Sequence, residues 1–194
     1  MIAVVSGLVW FYVNNDSTST PTTGTGATGT PEPEGVYQFT AHSGTPTPDT
    51  DTDCAKHAYG DIQSFLKAKP CDHLARQLFV TKVDGRVVYA SVSVVTMPDK
   101  AEAKELRDLT DTENTGNVSD VVKDGLVKID GLTKLTGDAG YASKQSGRDV
   151  IIIEAAFAPG DTSGDEAADE KVVDSVCDDA LRLAAQVDRD SGSG

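Results

Sequence analysis

Basic residues are scarce in this chain, and none occurs before Lys56. Seventeen Lys and Arg stand against 31 Asp and Glu, giving a net charge of −14. Nucleic-acid binding needs clustered Lys and Arg to neutralise phosphates, and docking on anionic lipid needs the same charge. The charge argues against both as partners, and the acidity reads as a means of solubility. Aromatics make up 6% of the residues, with one Trp and two Met. Only three cysteines occur, at 54, 71 and 177, and no Cys-x-x-Cys, so neither a dithiol redox motif nor a zinc ribbon is supported. His42, His57 and His73 share no metal-ligand spacing. There is no Gly-x-Ser-x-Gly, no His-Glu-x-x-His and no phosphate loop ending in Gly-Lys-Ser/Thr. The sequence therefore leads us to expect no cofactor, no metal and no catalytic residues.

A long hydrophobic run is missing too. The strongest candidate is Ile2 to Val13, followed by Asn14-Asn15-Asp16. A spanning helix needs about 20 apolar residues, or roughly 17 at the short end. No basic residue precedes this run and no small-x-small cleavage site follows it, which disfavours a cleaved signal peptide. Trp10-Phe11-Tyr12 has the character of an aromatic belt at a membrane face. We read residues 1–15 as the outer part of a transmembrane anchor that begins upstream of Met1. With the first basic residue at Lys56, the positive-inside tendency then places the C-terminal domain outside the cytoplasm, on a single-pass protein of the cell membrane.

Residues 16–52 read as a disordered tether. Ser17 to Thr30 is almost wholly Ser, Thr, Gly and Pro, and Pro31, Pro33, Pro46 and Pro48 follow. Such a composition buries too little apolar surface to offset chain entropy. Val36-Tyr37-Gln38-Phe39 is a candidate edge strand inside it. Asp49-x-Asp51-x-Asp53 begins like a calcium loop but has Cys54 where the sixth-place Gly belongs and Gly60 where the twelfth-place Glu belongs, so it reads as a solvated acidic run.

What the remainder does contain is a stretch that occurs twice. Phe79 to Tyr89 and Tyr141 to Ile151 both fit aromatic-x-Thr/Ser-Lys-x-x-Gly-Arg, and both lead into β-rich runs that stop at Pro98 and Pro159. Each reads as a hairpin: roughly 78–83 with 86–96, and 140–145 with 149–158. Ala58, Ile62, Phe65 and Leu66 predict a helix closed by Pro70. Residues 71–78 read as a second short helical turn, with Leu74 and Leu78 on one face. Pro98-Asp99 starts a helix to about Leu109. Residues 111–117 read as polar loop, 119–123 as a short helix and 126–129 as a small strand. Val172, Val173, Val176, Cys177, Ala180, Leu181, Ala184 and Val187 form the stripe of a last helix over 166–187. Val150 to Ile153 is apolar on both phases, which predicts a central strand covered on both sides. The order α-β-β-α-β-β-α predicts an α+β domain over 53–188: a mostly antiparallel sheet from two duplicated αββ units, with the C-terminal helix packed on it and residues 189–194 as a flexible tail.

Exported thiols pair as a rule, which leaves one odd cysteine here. Cys54–Cys71 is the local choice, but only if the first helix starts well after Cys54, since four residues cannot return the chain from the far end of a helix about 20 Å long. A bridge to Cys177 and three reduced thiols are the alternatives. The histidines read as surface or capping residues. Glu154, in a hydrophobic strand, is either an outward residue paired with a base or a pocket carboxyl of raised pKa. Arg86 and Arg148, at matching places in the two motifs, make a candidate pair for an acidic ligand. Thr115, Gly116 and Asn117 lie in a long loop, where binding residues concentrate, and complete the candidate surface.

The block Cys54-Ala-Lys-His-Ala-Tyr-Gly, Pro70-Cys71-x-x-Leu-x-Arg76-x-Leu78-Phe79, Ser91-Val-Ser-Val-Val-Thr-Met-Pro98 and Thr115-Gly-Asn-Val118 resembles uncharacterised membrane-anchored proteins of actinobacteria of the Streptomyces type. The high Asp and low aromatic content fit such a source. The resemblance covers about residues 54–187. It implies a transmembrane helix, a low-complexity tether and one exported α+β domain, and no activity. Some bitopic actinobacterial membrane proteins couple to envelope machines such as contractile injection systems, a further setting that the resemblance implies. The expectation is a non-enzymatic extracytoplasmic sensor or adaptor that binds a protein or envelope ligand. The alternatives are an envelope hydrolase using carboxylates and a carrier of an apolar ligand.

Overall fold

Two long hairpins form the middle of the molecule. In a computed structural model, which describes residues 35–135 and 140–192, the first pairs β3 (His73–Val83) with β4 (Arg86–Thr96), and the second pairs β5 (Gly140–Ser146) with β6 (Asp149–Phe157). β4 and β6 lie side by side and antiparallel, so the two hairpins fuse into one sheet. Two short strands, β1 (Thr40–Ala41) and β2 (Asp49–Asp51), pair with the outer side of β3. The strand order is β1-β3-β4-β6-β5, with β2 also on β3, and every pairing is antiparallel. The protein is α+β.

Both faces of this sheet are covered because β4 and β6 carry apolar side chains on both phases. Val92, Val94, Ile151 and Ile153 face α3 (Glu166–Ala180) and α4 (Ala184–Ser191), whose Val173, Val176, Cys177 and Val187 close that core. Val95, Val150 and Ile152 face the opposite way, toward Ile62 and Leu66 of α1 (Gly60–Ala68) and Ala103 and Leu106 of α2 (Lys100–Thr110). Residues 118–135 extend this second cover, placing Val121, Val127 and Leu135 over Leu78. The Asp99 carboxylate caps α2 by accepting from the backbone N–H groups of Ala101 and Glu102. The Asp165 carboxylate caps α3 through Ala168 N–H.

Several expected elements take other forms. Residues 73–78 are strand, not a turn of helix. Leu74 and Leu78 share a face at spacing four in either conformation, because four is a multiple of the strand period and close to the helix period. The stretch 119–125 is a run of turns organised by Asp120, whose fully buried carboxylate accepts from the N–H groups of Val122, Lys123 and Leu135. In place of a strand at 126–129 there is a single bridge between Ile129 and Leu132. The single last helix expected over 166–187 is broken by a tight turn at Leu181–Leu183, and α4 continues to Ser191, into the expected tail. The last part of the expected tether is folded instead. Residues 40–41 and 49–51 pair with β3, Phe39 is buried, and Tyr37 is fixed by Asp179 and Arg182, so the folded domain includes residues well before Cys54. The rest of the expected tether and the anchor at 1–15 lie outside the described residues. Among the described residues no helix is long and apolar enough to cross a membrane.

The repeated motif does not carry through to hairpin register. In the first hairpin Val83 pairs with Arg86, so Asp84-Gly85 make the turn, both at positive φ (52° and 81°). In the second Ser146 pairs with Asp149, so Gly147-Arg148 make it, with only Gly147 at positive φ (65°). Asp tolerates the left-handed region and allows a turn with two positive φ values, whereas Gly followed by Arg suits the type needing one. The offset of one residue turns the motif's aromatics to opposite faces: Phe79 packs beneath the α3–α4 side, while Tyr141 lies opposite Glu154 on the other. The sheet therefore gives no support to duplicated units.

Cys54 and Cys71 form a disulfide, with Cα atoms 6.2 Å apart. Closure works because Cys54–His57 is a short 3-10 turn and α1 begins only at Gly60. Cys177 is free and fully buried, and burial pushes its thiol pKa up. A Cys54→Ser/Cys71→Ser variant opens a loop with a sequence separation of 17. Urea titration is expected to show a loss of about 3 kcal/mol, and the intact wild-type mass should be two hydrogens light. Alkylation of Cys54 or Cys71 in the native, unreduced protein would contradict the pairing.

Candidate functional site

The loop after α2 is fastened to the start of α1. Thr115 C=O accepts from the N–H groups of Asp61 and Ile62 (2.6 and 3.3 Å), two of the donors a helix N-terminus leaves unpaired. Tyr59 N–H donates to Asn117 C=O (3.0 Å) and Ser119 N–H donates to His57 C=O (2.7 Å). Ala58 and Val118 form an antiparallel bridge between them. The two backbones approach so closely that a Cβ on Gly116 would lie 2.2 Å from Tyr59 O, and Gly116 has φ +85°. Only glycine meets both conditions.

This strap sets Asn117 above Glu154. Glu154 is 3% exposed and sits in the middle of β6, with Ser91 of β4 and Tyr141 of β5 as its register partners. Asn117 Nδ2 donates to Glu154 Oε1 (2.9 Å), while Asn117 Oδ1 is occupied by Val118 N–H. Among the described residues Glu154 Oε2 has no hydrogen-bond donor. Burial, and then the nearby charge of Asp120, push the Glu154 carboxyl up to about 8, against the opposing pull of Asn117, Lys123 and Lys134. Glu154 is thus a neutral acid at pH 7, with Oε1 fixed as acceptor and Oε2 free to donate a proton.

Over this carboxyl lies an open groove of about 600 Å³. Tyr59 and Tyr141 line it, with Asp111, Glu113, Asn114 and Asn117. The Tyr141 hydroxyl donates to Asp111 Oδ1 (3.2 Å), and burial pushes the phenol up to about 12, so it stays protonated. Asp111 is further held by Ser143 Oγ (2.5 Å) and by Arg107 Nη2 (2.8 Å). Among the described residues no Lys or Arg lines the groove.

A second polar cluster lies on the same face, nearer the β2 edge. Arg76, 1% exposed, donates to Asp49 (2.7 Å), to Asp124 (2.9 Å) and to Ser119 C=O (3.1 Å). His57 sits between Asp124, 2.5 Å from Nδ1, and Asp51, 2.8 Å from Nε2. Backbone N–H groups, Asp53 first, and then His57 hold the Asp51 carboxyl well below its usual range. Burial raises Asp124, but the hydrogen bonds from His57 and Arg76 outweigh it and the net shift is downward. The acidic run at 49–53 therefore supplies partners for buried cations and is no freely solvated patch, and His57 is an interior residue rather than a surface one. This cluster pins β2 and the 118–125 turns to β3. Its charges are paired with one another and its bonds join segments of the chain itself, so it reads as a clasp.

The sequence-derived candidates separate accordingly. Gly116 and Asn117 line the groove with Glu154, whereas Thr115 is buried behind them, its hydroxyl bonded to the carbonyls of Leu109 and Thr112. Arg86 and Arg148 form no pair. They lie at opposite ends of the sheet: Arg86 bonds Asp169 and covers the Phe157 ring at 4.4 Å, and Arg148 bonds Asp72 and Pro98 C=O. Neither reaches the groove. Tyr59 and Tyr141 escaped the sequence reading as groove residues, whereas Asp111 opens the loop that it pointed to. Tyr141 carried a signal, as the motif aromatic one strand away from Glu154, while Tyr59 carried none.

The raised pKa of Glu154 has a signed effect on stability. An unfolded Glu titrates near 4.5 and the native one near 8. Between those values only the native state holds the proton, so stability falls as pH rises, by about 1.4 kcal/mol per pH unit, and levels off above the native pKa. The wild-type minus Glu154→Gln difference in urea-unfolding free energy should follow that slope from about pH 5 to about pH 7.5. A difference independent of pH would contradict it.

Comparison with protein families, with characterised proteins and with solved structures returned no match to this chain, so the functional reading rests on the geometry of the groove.

Proposed function

We propose that this chain is the binding part of a membrane-tethered extracytoplasmic protein: a non-enzymatic sensor or adaptor domain that takes a protein or envelope ligand in the groove above Glu154. The observation that carries the reading is the unfinished hydrogen bonding of that carboxyl, fully buried save for one oxygen without a donor beneath two tyrosines. That oxygen faces the groove and is open to a ligand's donor. The Cys54–Cys71 bridge supports an oxidising compartment. The membrane tether is supported by the apolar run at 2–13 alone.

A hydrolase is the second reading, favoured by the pKa of Glu154, since a protonated carboxyl near neutrality suits a general acid. It needs a second free carboxylate at a fixed separation across the reacting bond. Asp120 is spent on three backbone N–H groups, and Asp111 on Arg107, Tyr141 and Ser143. Only Glu113, exposed on the rim, is uncommitted. Binding is the better fit.

The test is site-specific photo-crosslinking in the native envelope, because Asn117→Ala would also strip Glu154 of its one hydrogen bond. A crosslinker at Glu113, on the rim, is expected to trap a discrete adduct; one at Lys171 on α3, which does not line the groove, is not. Equal trapping at both sites, or none from the rim, would count against the groove as the binding surface.

A further inference from the structure

Taking the groove as the binding surface proposed above, we infer that its specific occupant is a primary ammonium group, as on a lysine side chain of a protein partner, paired with Glu154 Oε2 at the floor.

The groove's own chemistry selects this charge. Among the described residues its lining carries three carboxyl groups and no cation, so an anionic ligand would meet repulsion and no basic partner in that lining. Asp111 is already neutralised by Arg107 at 2.8 Å. Glu154 is different: Asn117 fixes one oxygen, the other lacks a donor, and it forms no ion pair with a Lys or Arg of its own chain among the described residues. An ammonium offers three donors on a compact head and a slim apolar stem. Tyr59 and Tyr141 can flank such a stem and meet the cation with their ring faces. The molecule already shows the preference, since Lys123 Nζ lies 4.1 Å from the centroid of the Tyr59 ring.

The groups around Glu154 make this binding proton-linked. Asp120, in the covering segment, opposes its ionisation; Lys123 and Lys134 of the same segment, and Asn117 from the strap, favour it. Tyr141 on β5 stays a neutral phenol beside Asp111, Ser91 on β4 is uncharged, and Cys177 on α3, whose titration is pushed up by burial first and then by the acids around it, Asp174 and Glu154 among them, stays a thiol. The empty site thus holds Glu154–COOH at neutral pH. Binding gives Glu154–COO⁻ paired with R–NH₃⁺ and releases one H⁺ to solvent. A neutral hydroxyl ligand would leave the proton in place.

The experiment uses the full chain and two probes, Nα-acetyl-lysine methylamide and its uncharged counterpart Nα-acetyl-norleucine methylamide, followed by amide chemical shifts. The lysine probe is expected to move the resonances of Gly116, Asn117, Tyr141 and Glu154, and the norleucine probe to leave them. Its affinity should rise about tenfold per pH unit from about pH 6 to about pH 7.5 and flatten above about pH 8, the slope of one released proton. Glu154→Gln should weaken it at least about tenfold at pH 8, and the contrast between the two wild-type probes holds whether or not that variant folds well. Equal response to both probes, a pH-independent affinity, or no response to about 20 mM lysine probe at pH 8 would overturn the ammonium assignment. If the rim crosslinks a partner while the lysine probe fails, the groove stands as a binding surface and this occupant alone is wrong.

Discussion

A carboxyl in the middle of a strand covered on both faces must be paired with a cation or hold its proton. That constraint governs the groove face of this molecule. β6 is central and apolar on both phases, so Glu154 has no route to bulk water along its own strand. Among the described residues it has one neutral donor, Asn117, and no basic ion-pair partner. Asn117 in turn is placed by a backbone strap whose close approach needs glycine at 116. The position of the groove, its hydrogen-bonding character and its response to pH all descend from the decision to bury this acid without a counter-ion.

The neighbouring cluster resolves the same problem the other way. Arg76 is as deeply buried as Glu154, on the same face of the sheet, but it is met by Asp49, Asp124 and a carbonyl. With His57 it ties the N-terminal strand β2 and the turns after residue 118 to β3. Removing one member of such a set leaves buried charge uncompensated, which is costly. One polar cluster therefore has its charges paired and holds the cover in place, and the other leaves its acid without a counter-ion among the described residues. The contrast is why only the second is assigned a ligand.

Much of the scaffold was legible in the residues. The double-phase run Val150 to Ile153 announced a central strand, the three-four stripe from Val172 to Val187 announced the helical layer, and the reach argument for Cys54–Cys71 required the late helix start that the molecule has. Legibility failed where two periods coincide, as at Leu74 and Leu78, and where a local motif meets a register choice made by turn chemistry, as at Gly85-Arg86 and Gly147-Arg148. Composition also misled: the Asp-rich stretch at 49–53 resembles solvated loop until Arg76 and His57, distant in sequence, claim its carboxylates. At the groove, Glu154 and Asn117 were each visible as candidates, but their contact at 2.9 Å depends on a strap formed between segments nearly 60 residues apart. No periodicity encodes that meeting.

The central claim is that Glu154 is a neutral acid at physiological pH. Carbon-13 NMR titration of the Glu154 side-chain carboxyl in the native protein measures it directly. The account requires a midpoint near 8. A midpoint near 4.5, the value of an ordinary glutamate, would mean that the carboxylate is already solvated or paired, and the reading of the groove would fail with it.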